Sequence, residues 1–239
     1  MAQAFLSEVE LYYSGNAAVD NKISIEGDEC HHLTNVMRHK VDDILYVADG
    51  RGSIHKSVIS GVEKNKVTVT VKETIKFENG FSNIWFCIPR LKNPDRFEFA
   101  IEKSVELGIT NFIVFDSKRT VAKGAKIERW EKILMAAMKQ SLRAWLPQIQ
   151  YVKSVNEIMK LEGTKVLFDQ NAEEPFRNSL LTNQQMPATN RYFIFGPEGG
   201  FDNSELKMES LELIRLTENR LRSETAVVTA AAILASNVL

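Results

Sequence analysis

The chain has 239 residues, a net charge of −1 and a hydrophobic fraction of 44%. These values are typical of a folded globular protein with one or two domains, and they exclude disordered and collagen-like chains. The two cysteines, Cys30 and Cys87, are too few for a disulfide framework or a four-ligand zinc site. Each is predicted to be a small buried side chain.

The N-terminal segment has no basic region followed by an apolar core, so we expect no signal peptide. The longest uncharged apolar run lies near residues 226–235 and falls short of the ~20 residues that cross a bilayer. Together with the low cysteine content, these features predict a soluble cytoplasmic protein without a membrane partner.

The first 72 residues are predicted to form a small β-barrel with one helical interruption. Leu33, Val36 and Met37 have helical spacing within residues 31–38. Short strands at a spacing of 8–12 residues are typical of small barrels. The predicted strands are residues 22–26, 44–48, 53–60 and 67–71.

From residue 73 onward, apolar strands alternate with helices, which predicts an α/β domain with a largely parallel sheet over residues 73–239. Asn93 is a predicted N-cap, with Pro94 at the first helical position. Asp202 and Glu205 have the spacing of a capping box. The predicted strands are 84–88, 112–115, 165–169, 192–195 and 211–216, and the remaining predicted helices are 127–143 and 224–238.

Residues 117–143 contain eight basic residues and only two acidic ones. Such a cluster is typical of a surface that binds a polyanion such as RNA. A solvent-exposed loop and helix face has the same composition. Charge alone leaves both interpretations open.

The segment 195–201, with the sequence FGPEGGF, lies between a buried strand and a capped helix. Ligands of open α/β sheets bind beyond the carboxyl ends of the strands, where glycine allows close approach to the backbone. We therefore predict a ligand site here, although a glycine-rich turn that only reverses the chain remains an alternative. The segment is neither a dinucleotide fingerprint nor a Walker A loop, because no Lys-Ser/Thr follows it.

A second polar segment, residues 220–226, joins the last predicted strand to the last helix. Ser223 is a candidate N-cap and Glu224 a favourable charge in the first helical turn. Arg220 and Arg222 have no such structural role, and a pair of cations at a strand end suits an anionic substrate.

Four stretches together resemble the bacterial 16S ribosomal RNA uridine N3-methyltransferase family (the RsmE family) of the SPOUT class. Their order and spacing match over nearly the whole chain, although Thr217 stands where the family commonly has glycine. The stretches are residues 31–38, residues 100–108, residues 140–143 with Pro147, and the GPEGG loop followed by residues 221–226.

This resemblance implies a PUA-like, RNA-binding β-barrel over residues 1–72. It implies a SPOUT α/β domain with a C-terminal trefoil knot over residues 73–239. It further implies a homodimer that binds S-adenosylmethionine (SAM), contains no metal, and methylates N3 of a specific uridine in the 16S rRNA of the small ribosomal subunit.

Cofactor-binding residues are predicted at three strand ends, where apolar walls and backbone donors suit an adenine ring and a ribose. Leu216 and Leu221 are equally plausible as core residues. The predicted residues are Phe168, Gly196, Gly200, Leu216, Leu221 and Ser223.

Methylation of uracil N3 requires removal of the imide proton and stabilisation of the resulting anion. Arg222 is the predicted cation at the uracil oxygens, with a structural or phosphate contact as its alternative. Glu198 is either the base or a residue that fixes the loop. Lys103 is a third predicted catalytic residue, although it shares a helix face with Glu106 and equally suits a simple ion pair.

RNA contacts are predicted in both domains, because guanidinium groups suit phosphates. The alternative for His32 is a structural role, which is the more common one for a lone histidine. The predicted RNA-binding residues are His32, Arg38, Arg119, Lys123, Lys126 and Arg143.

Two other functions compete with this hypothesis. A non-catalytic RNA-binding or ribosome assembly factor on the same scaffold would not need the cofactor. An enzyme that binds a nucleotide phosphate on the glycine loop is disfavoured, because no lysine follows that loop.

Overall fold

A computed structural model of the protein describes residues 9–120, 122–176, 189–202, 205 and 211–236. The chain forms two compact units, and each is assembled from two segments. The first unit contains residues 1–79 and 138–146, and the second contains residues 80–137 and 147–239. The predicted domain boundary between residues 72 and 73 stays a prediction.

The first unit contains a five-stranded sheet with the strand order β1-β3-β4-β5-β2. β1 pairs with β3 in parallel, and the other neighbours are antiparallel. The elements are β1 Leu11–Tyr13, β2 Lys22–Glu26, α1 Gly27–His31, a π-helical turn His32–Val36, β3 Ile44–Ala48, β4 Ser53–Glu63 and β5 Lys66–Lys76.

The predicted strands of this unit are confirmed, but the predicted helix over 31–38 is wrong in its position. The helical stretch covers residues 27–36, because buried Cys30 and Leu33 together face the core. Arg38 lies beyond it with a left-handed φ of 59°. Both Cys30 and Cys87 are buried as predicted, and burial raises the pKa of each thiol.

The second unit contains a six-stranded sheet with the order β11-β9-β10-β6-β7-β8, and all of its described pairings are parallel. This confirms the predicted α/β class. The elements are β6 Ile84–Pro89, α2 Pro94–Glu106, β7 Asn111–Phe115, α3 Ile127–Gln140, β8 Gln148–Val152, α4 Val155–Met159, β9 Thr164–Phe168, β10 Arg191–Ile194, β11 Leu211–Ile214 and α5 Ser223–Ala235. The last three residues of α3 belong to the first unit.

Most sequence signals for this unit are confirmed. The side chain of Asn93 caps α2 by accepting the backbone N–H groups of Asp95 at 2.8 Å and Arg96 at 3.3 Å. The carboxylate of Glu205 accepts the N–H of Asp202, as a capping box requires, and the body of the helix predicted to follow lies outside the described residues.

Other predictions for this unit are wrong or incomplete. α3 ends at Gln140 rather than at residue 143, because Leu142 takes a left-handed φ of 56°. The end predicted for α5 at residue 238 lies outside the described residues. β1, β8 and α4 were not predicted.

The parallel register brings the carboxyl ends of β9, β10 and β11 to one edge of the sheet. Ile194 of β10 lies opposite Cys87 of β6 and Leu167 of β9, and Leu167 lies opposite Leu213 of β11. The segments that follow β9, β10 and β11 therefore leave the sheet side by side.

Gly163 holds β9 next to β10. It has a φ of 125°, and a Cβ at this position would lie 2.2 Å from the carbonyl oxygen of Asn190, the residue before β10. We expect Gly163→Ala to lower the free energy of unfolding by about 2 kcal/mol or more, through backbone strain and steric overlap. Urea unfolding monitored by circular dichroism measures the change.

Gly61→Ala is the matched control, since a Cβ at Gly61 in β4 would meet nothing within 4 Å. Its effect is expected to stay within about 0.5 kcal/mol. Equal losses in the two variants would contradict the close packing of the chain at Gly163.

Candidate functional site

A cavity of about 800 Å³ lies at the carboxyl ends of β9, β10 and β11. Its walls come from residues within 168–171, 196–201 and 216–226, together with Arg96 of α2. All six residues that were predicted to bind a cofactor line it, as do Glu198 and Arg222. The structure therefore brings together eight of the predicted site residues.

An aromatic cluster supports one wall of this cavity. Phe168, the last residue of β9, stacks on Phe195 with a centroid distance of 5.0 Å and on Phe193 at 5.6 Å. Phe195 is fully buried and directly precedes Gly196. Packing of these rings fixes the point at which the glycine loop, residues 196–201, leaves the sheet.

The glycine loop turns sharply along the cavity. The N–H of Gly200 donates to the carbonyl oxygen of Pro197 at 2.9 Å, and Gly200 has a φ of 69°. A residue with a side chain rarely adopts this conformation. Phe201 then stacks on Phe115 at the end of β7, with a ring centroid distance of 6.4 Å.

Ser223 is not the N-cap of α5, which corrects the prediction. Arg222 holds that position, and its carbonyl oxygen accepts the N–H of Ala226 at 2.8 Å. Ser223 is the first helical residue, and its buried Oγ has no hydrogen-bond partner among the described residues. A buried hydroxyl without a hydrogen-bond partner among the described residues, in a residue of the cavity wall, is a candidate ligand contact.

Arg96 is a wall residue that the sequence reasoning missed. Its Nε lies 3.6 Å from Oε1 of Glu224, and its Nη1 lies 4.0 Å from Oε1 of Glu198. The available signal was its place in the first turn of α2, where the helix dipole disfavours a cation. The nearby carboxylates of Glu198 and Glu224 offset that cost.

The predicted RNA-binding residues of the second unit lie in the segment between β7 and α3. The Arg119 guanidinium donates to the carbonyl oxygen of Gly199 at 3.3 Å and lies 3.7 Å from the carboxylate of Asp202. Lys123 and Lys126 are exposed to solvent. Arg119 thus touches the glycine loop, while the two lysines extend the positive surface of this segment.

The remaining predicted RNA-binding residues belong to the first unit. Arg38 and Arg143 are exposed there. The Nε2 atom of His32 lies 3.2 Å from a carboxylate oxygen of Glu10.

Lys103 is not among the described residues that line the cavity. Its amine donates to the carboxylates of Glu102 at 2.8 Å and Glu106 at 2.7 Å, and both contacts raise its pKa. The predicted ion pair with Glu106 is present, and the catalytic role of Lys103 stays a prediction.

The described residues lack two further features. They contain no helix that is long and apolar enough to cross a membrane. They also contain no group of three His, Cys, Asp or Glu side chains placed to hold a metal ion.

Comparison with known proteins identifies both parts of the chain. Residues 78–235 match the model of an RNA methyltransferase domain, and residues 25–72 match the model of an RNA methyltransferase PUA domain. The fold is similar to a crystal structure of ribosomal RNA small subunit methyltransferase E from Neisseria gonorrhoeae, bound to S-adenosyl methionine. That likeness has a TM-score of 0.78 and 24% identity over 96% of this chain and 98% of the other.

Two relatives have the same descriptive name, ribosomal RNA small subunit methyltransferase E. The protein from Rickettsia conorii is 29% identical over 93% of both chains. The protein from Mesomycoplasma hyopneumoniae is 31% identical over 69% of this chain and 74% of its own length. The chain therefore belongs to the RNA methyltransferase family that includes the ribosomal RNA small subunit methyltransferases E.

Proposed function

We propose that this protein transfers the methyl group of SAM to N3 of a uridine in the 16S rRNA of the small ribosomal subunit. The observation that carries the proposal is the cavity at the carboxyl ends of β9, β10 and β11, with the glycine loop along one side. Family membership and the names of the relatives support the reaction class and the class of RNA. The position of the methyl group rests on the resemblance of the four sequence stretches.

The cavity walls fit SAM. Phe168, Leu216 and Leu221 offer apolar surface for an adenine ring, and Gly196 and Gly200 expose backbone to the ligand. Ser223 supplies a hydroxyl that has no hydrogen-bond partner in the described part of the chain. When bound, SAM supplies a methyl group already activated by its sulfonium. The protein then needs to hold donor and acceptor in line, for which it requires no metal.

Arg222 and Glu198 are the proposed catalytic residues on the acceptor side. Uracil N3 becomes nucleophilic only after its imide proton leaves, and negative charge then spreads over the two ring oxygens. Arg222 stabilises that charge, and the Glu198 carboxylate accepts the proton. Both side chains line the cavity, and Glu198 also lies near Arg96. Lys103 has no contact with the cavity that would assign it a step.

RNA binding is proposed for both units. Arg119, Lys123 and Lys126 provide a positive surface in the second unit, and His32, Arg38 and Arg143 provide polar and basic contacts in the first. Contacts to phosphates hold the RNA without reading its sequence. Their contribution to binding weakens as the salt concentration rises, since bound counterions are released when the protein binds.

A homodimer and a C-terminal trefoil knot complete the proposal, and both rest on the family resemblance. An exposed face of α2 and α5 supports the dimer. Phe99 is 48% exposed there, beside a shallow apolar groove. A second copy of the chain is the proposed occupant of this face. The groove is formed by Phe99, Thr225, Val228, Thr229, Ala232, Ile233 and Ser236.

The reaction itself is directly testable. The purified protein is expected to transfer labelled methyl from SAM to small-subunit RNA, and nucleoside mass spectrometry is expected to identify 3-methyluridine. Methylation at a ribose or at another ring position would contradict the assignment to N3. RNA binding without heat from added SAM in calorimetry would instead favour the non-catalytic RNA-binding factor.

Ser223→Ala separates a ligand contact from a structural one. Because the hydroxyl makes no hydrogen bond to any residue that the structure describes, its removal is expected to leave the free energy of unfolding within about 0.5 kcal/mol of wild type. The Kd for SAM, measured by calorimetry, is expected to rise about tenfold, equivalent to about 1.4 kcal/mol. Ser82→Ala, at an exposed serine before β6 that is not among the described cavity-wall residues, is the control with unchanged affinity. A structural role would appear as lost stability with unchanged affinity.

Arg222→Ala tests the cation assigned to the acceptor. Loss of charge stabilisation is expected to lower kcat by about a hundredfold or more, while the Kd for SAM changes by less than about threefold. Arg215→Ala is the control, because Arg215 pairs with exposed Glu218 at 3.1 Å, outside the cavity. Single-turnover kinetics and calorimetry measure the two quantities. Equal losses in rate and affinity would mean that Arg222 holds the donor.

A further inference from the structure

The glycine loop has a second face that the cofactor site does not use. Gly196, Pro197, Glu198, Gly200 and Phe201 line the cavity, whereas Gly199 is not among its described wall residues. A Cβ at Gly199 would lie 3.3 Å from Cβ and 3.5 Å from the carbonyl oxygen of Arg119. The absence of a side chain at Gly199 therefore lets residues 117–120, here called the basic segment, pack against the reverse side of the loop.

The buried carboxylate of Glu205 hydrogen-bonds both to the basic segment and to the residue after the glycine loop. Glu205 is 6% exposed. Its Oε1 accepts the N–H of Lys118 at 3.1 Å, and its Oε2 accepts the hydroxyl of Ser117 at 3.3 Å and the N–H of Asp202 at 2.8 Å. A carboxylate only accepts hydrogen bonds, and all three partners are donors. One side chain thus joins the basic segment to the residue that follows the glycine loop.

Arg119 adds a direct contact with the loop. Its guanidinium donates to the carbonyl oxygen of Gly199 at 3.3 Å and lies 3.7 Å from Oδ2 of Asp202, while the Lys118 amine lies 3.9 Å from Oδ1 of Asp202. The same guanidinium is a proposed phosphate contact. A phosphate at Arg119 would compete with Asp202 for the cation and so act on the residue next to the loop.

The residues that flank the basic segment also make hydrogen bonds that fix their positions. Oδ2 of Asp116 accepts the Tyr151 hydroxyl at 2.7 Å and the N–H of Gly124 at 3.4 Å, and the first contact raises the pKa of Tyr151. The carbonyl oxygen of Gly124 accepts Nε of Arg90 at 3.2 Å. These contacts anchor the residues on both sides of the basic segment to β8 and to the ends of β6 and β7. A displacement of Arg119 would therefore be passed to the glycine loop, which Arg119 contacts.

We infer that Glu205 and Gly199 are positioning residues that couple RNA binding at the basic segment to cofactor binding in the cavity. This inference rests on the proposed function, since it assigns SAM to the cavity and RNA phosphate to Arg119. Coupling between two sites is reciprocal, so each ligand changes the affinity for the other by the same factor.

The test measures the Kd of S-adenosylhomocysteine by calorimetry with and without saturating 16S rRNA transcript. It also measures the Kd of the transcript with and without saturating S-adenosylhomocysteine, the product that SAM leaves after methyl transfer. This product carries no methyl group, so no transfer occurs during the titration. In wild type we expect both Kd values to fall by the same factor, about fivefold or more.

Glu205→Gln and Gly199→Ala are the test variants. A Gln side chain replaces one accepting oxygen by a donor, so it loses an N–H partner on one side of the contact. Gly199 has no left-handed φ, so its alanine variant changes only the packing on Arg119. In both we expect the coupling factor to fall below about twofold, with the Kd of each ligand alone little changed. Glu212→Gln, an exposed carboxylate on β11, is expected to keep the wild-type factor.

The outcomes separate this inference from the proposed function. No binding of S-adenosylhomocysteine to wild type would overturn both. Binding of both ligands with a wild-type coupling factor near one, or full coupling in the variants, would overturn the inference alone. Ser117→Ala removes one donor to Glu205 without changing the backbone contacts. It provides the same readout, with a smaller expected loss of coupling, where the other variants fold poorly.

Discussion

The parallel alignment of β9, β10 and β11 is the constraint on which the site depends. Parallel neighbours in register must end at the same edge, so three chain segments far apart in sequence leave the sheet together. Residues of each of these segments form part of the cavity wall. Without that register, Phe168, Gly196 and Leu216 would not line one cavity.

The two adjacent glycines of the glycine loop have different structural roles. Gly200 adopts a left-handed φ that favours glycine, and this conformation turns the loop along the cavity. Gly199 meets a packing demand, because Arg119 lies against it. The carboxylates nearby also differ in role. Glu198 faces the cavity beside Arg96, whereas buried Glu205 binds backbone N–H groups and a hydroxyl.

Local signals in the sequence predicted much of the second unit. The continuous apolar run at residues 84–88 and the Asn93-Pro94 pair predicted β6 and the capped start of α2, since both depend on adjacent residues. β8 was missed because its sequence, Gln-Ile-Gln-Tyr-Val, directly follows a proline and lacks the continuous apolar run that predicted β6. The end of α3 was misplaced because the left-handed Leu142 is not a residue type that marks a turn.

The site was less accessible to sequence reasoning, because it depends on contacts across the sheet edge. Ser223 was expected to cap α5 from its residue type, yet it is the first residue of the helix and belongs to the cavity wall. Arg96 resembled an ordinary helix-surface cation until its distances to Glu198 and Glu224 were known. The separate role of Gly199 could not be predicted, since sequence does not distinguish adjacent glycines.

A crystal structure of the protein grown with SAM tests the central claim most directly. The account predicts electron density for the whole ligand at the ends of β9, β10 and β11, in contact with the three segments after these strands. Ligand density at another part of the surface, or wall side chains that fill this cavity while SAM binds elsewhere, would contradict the account.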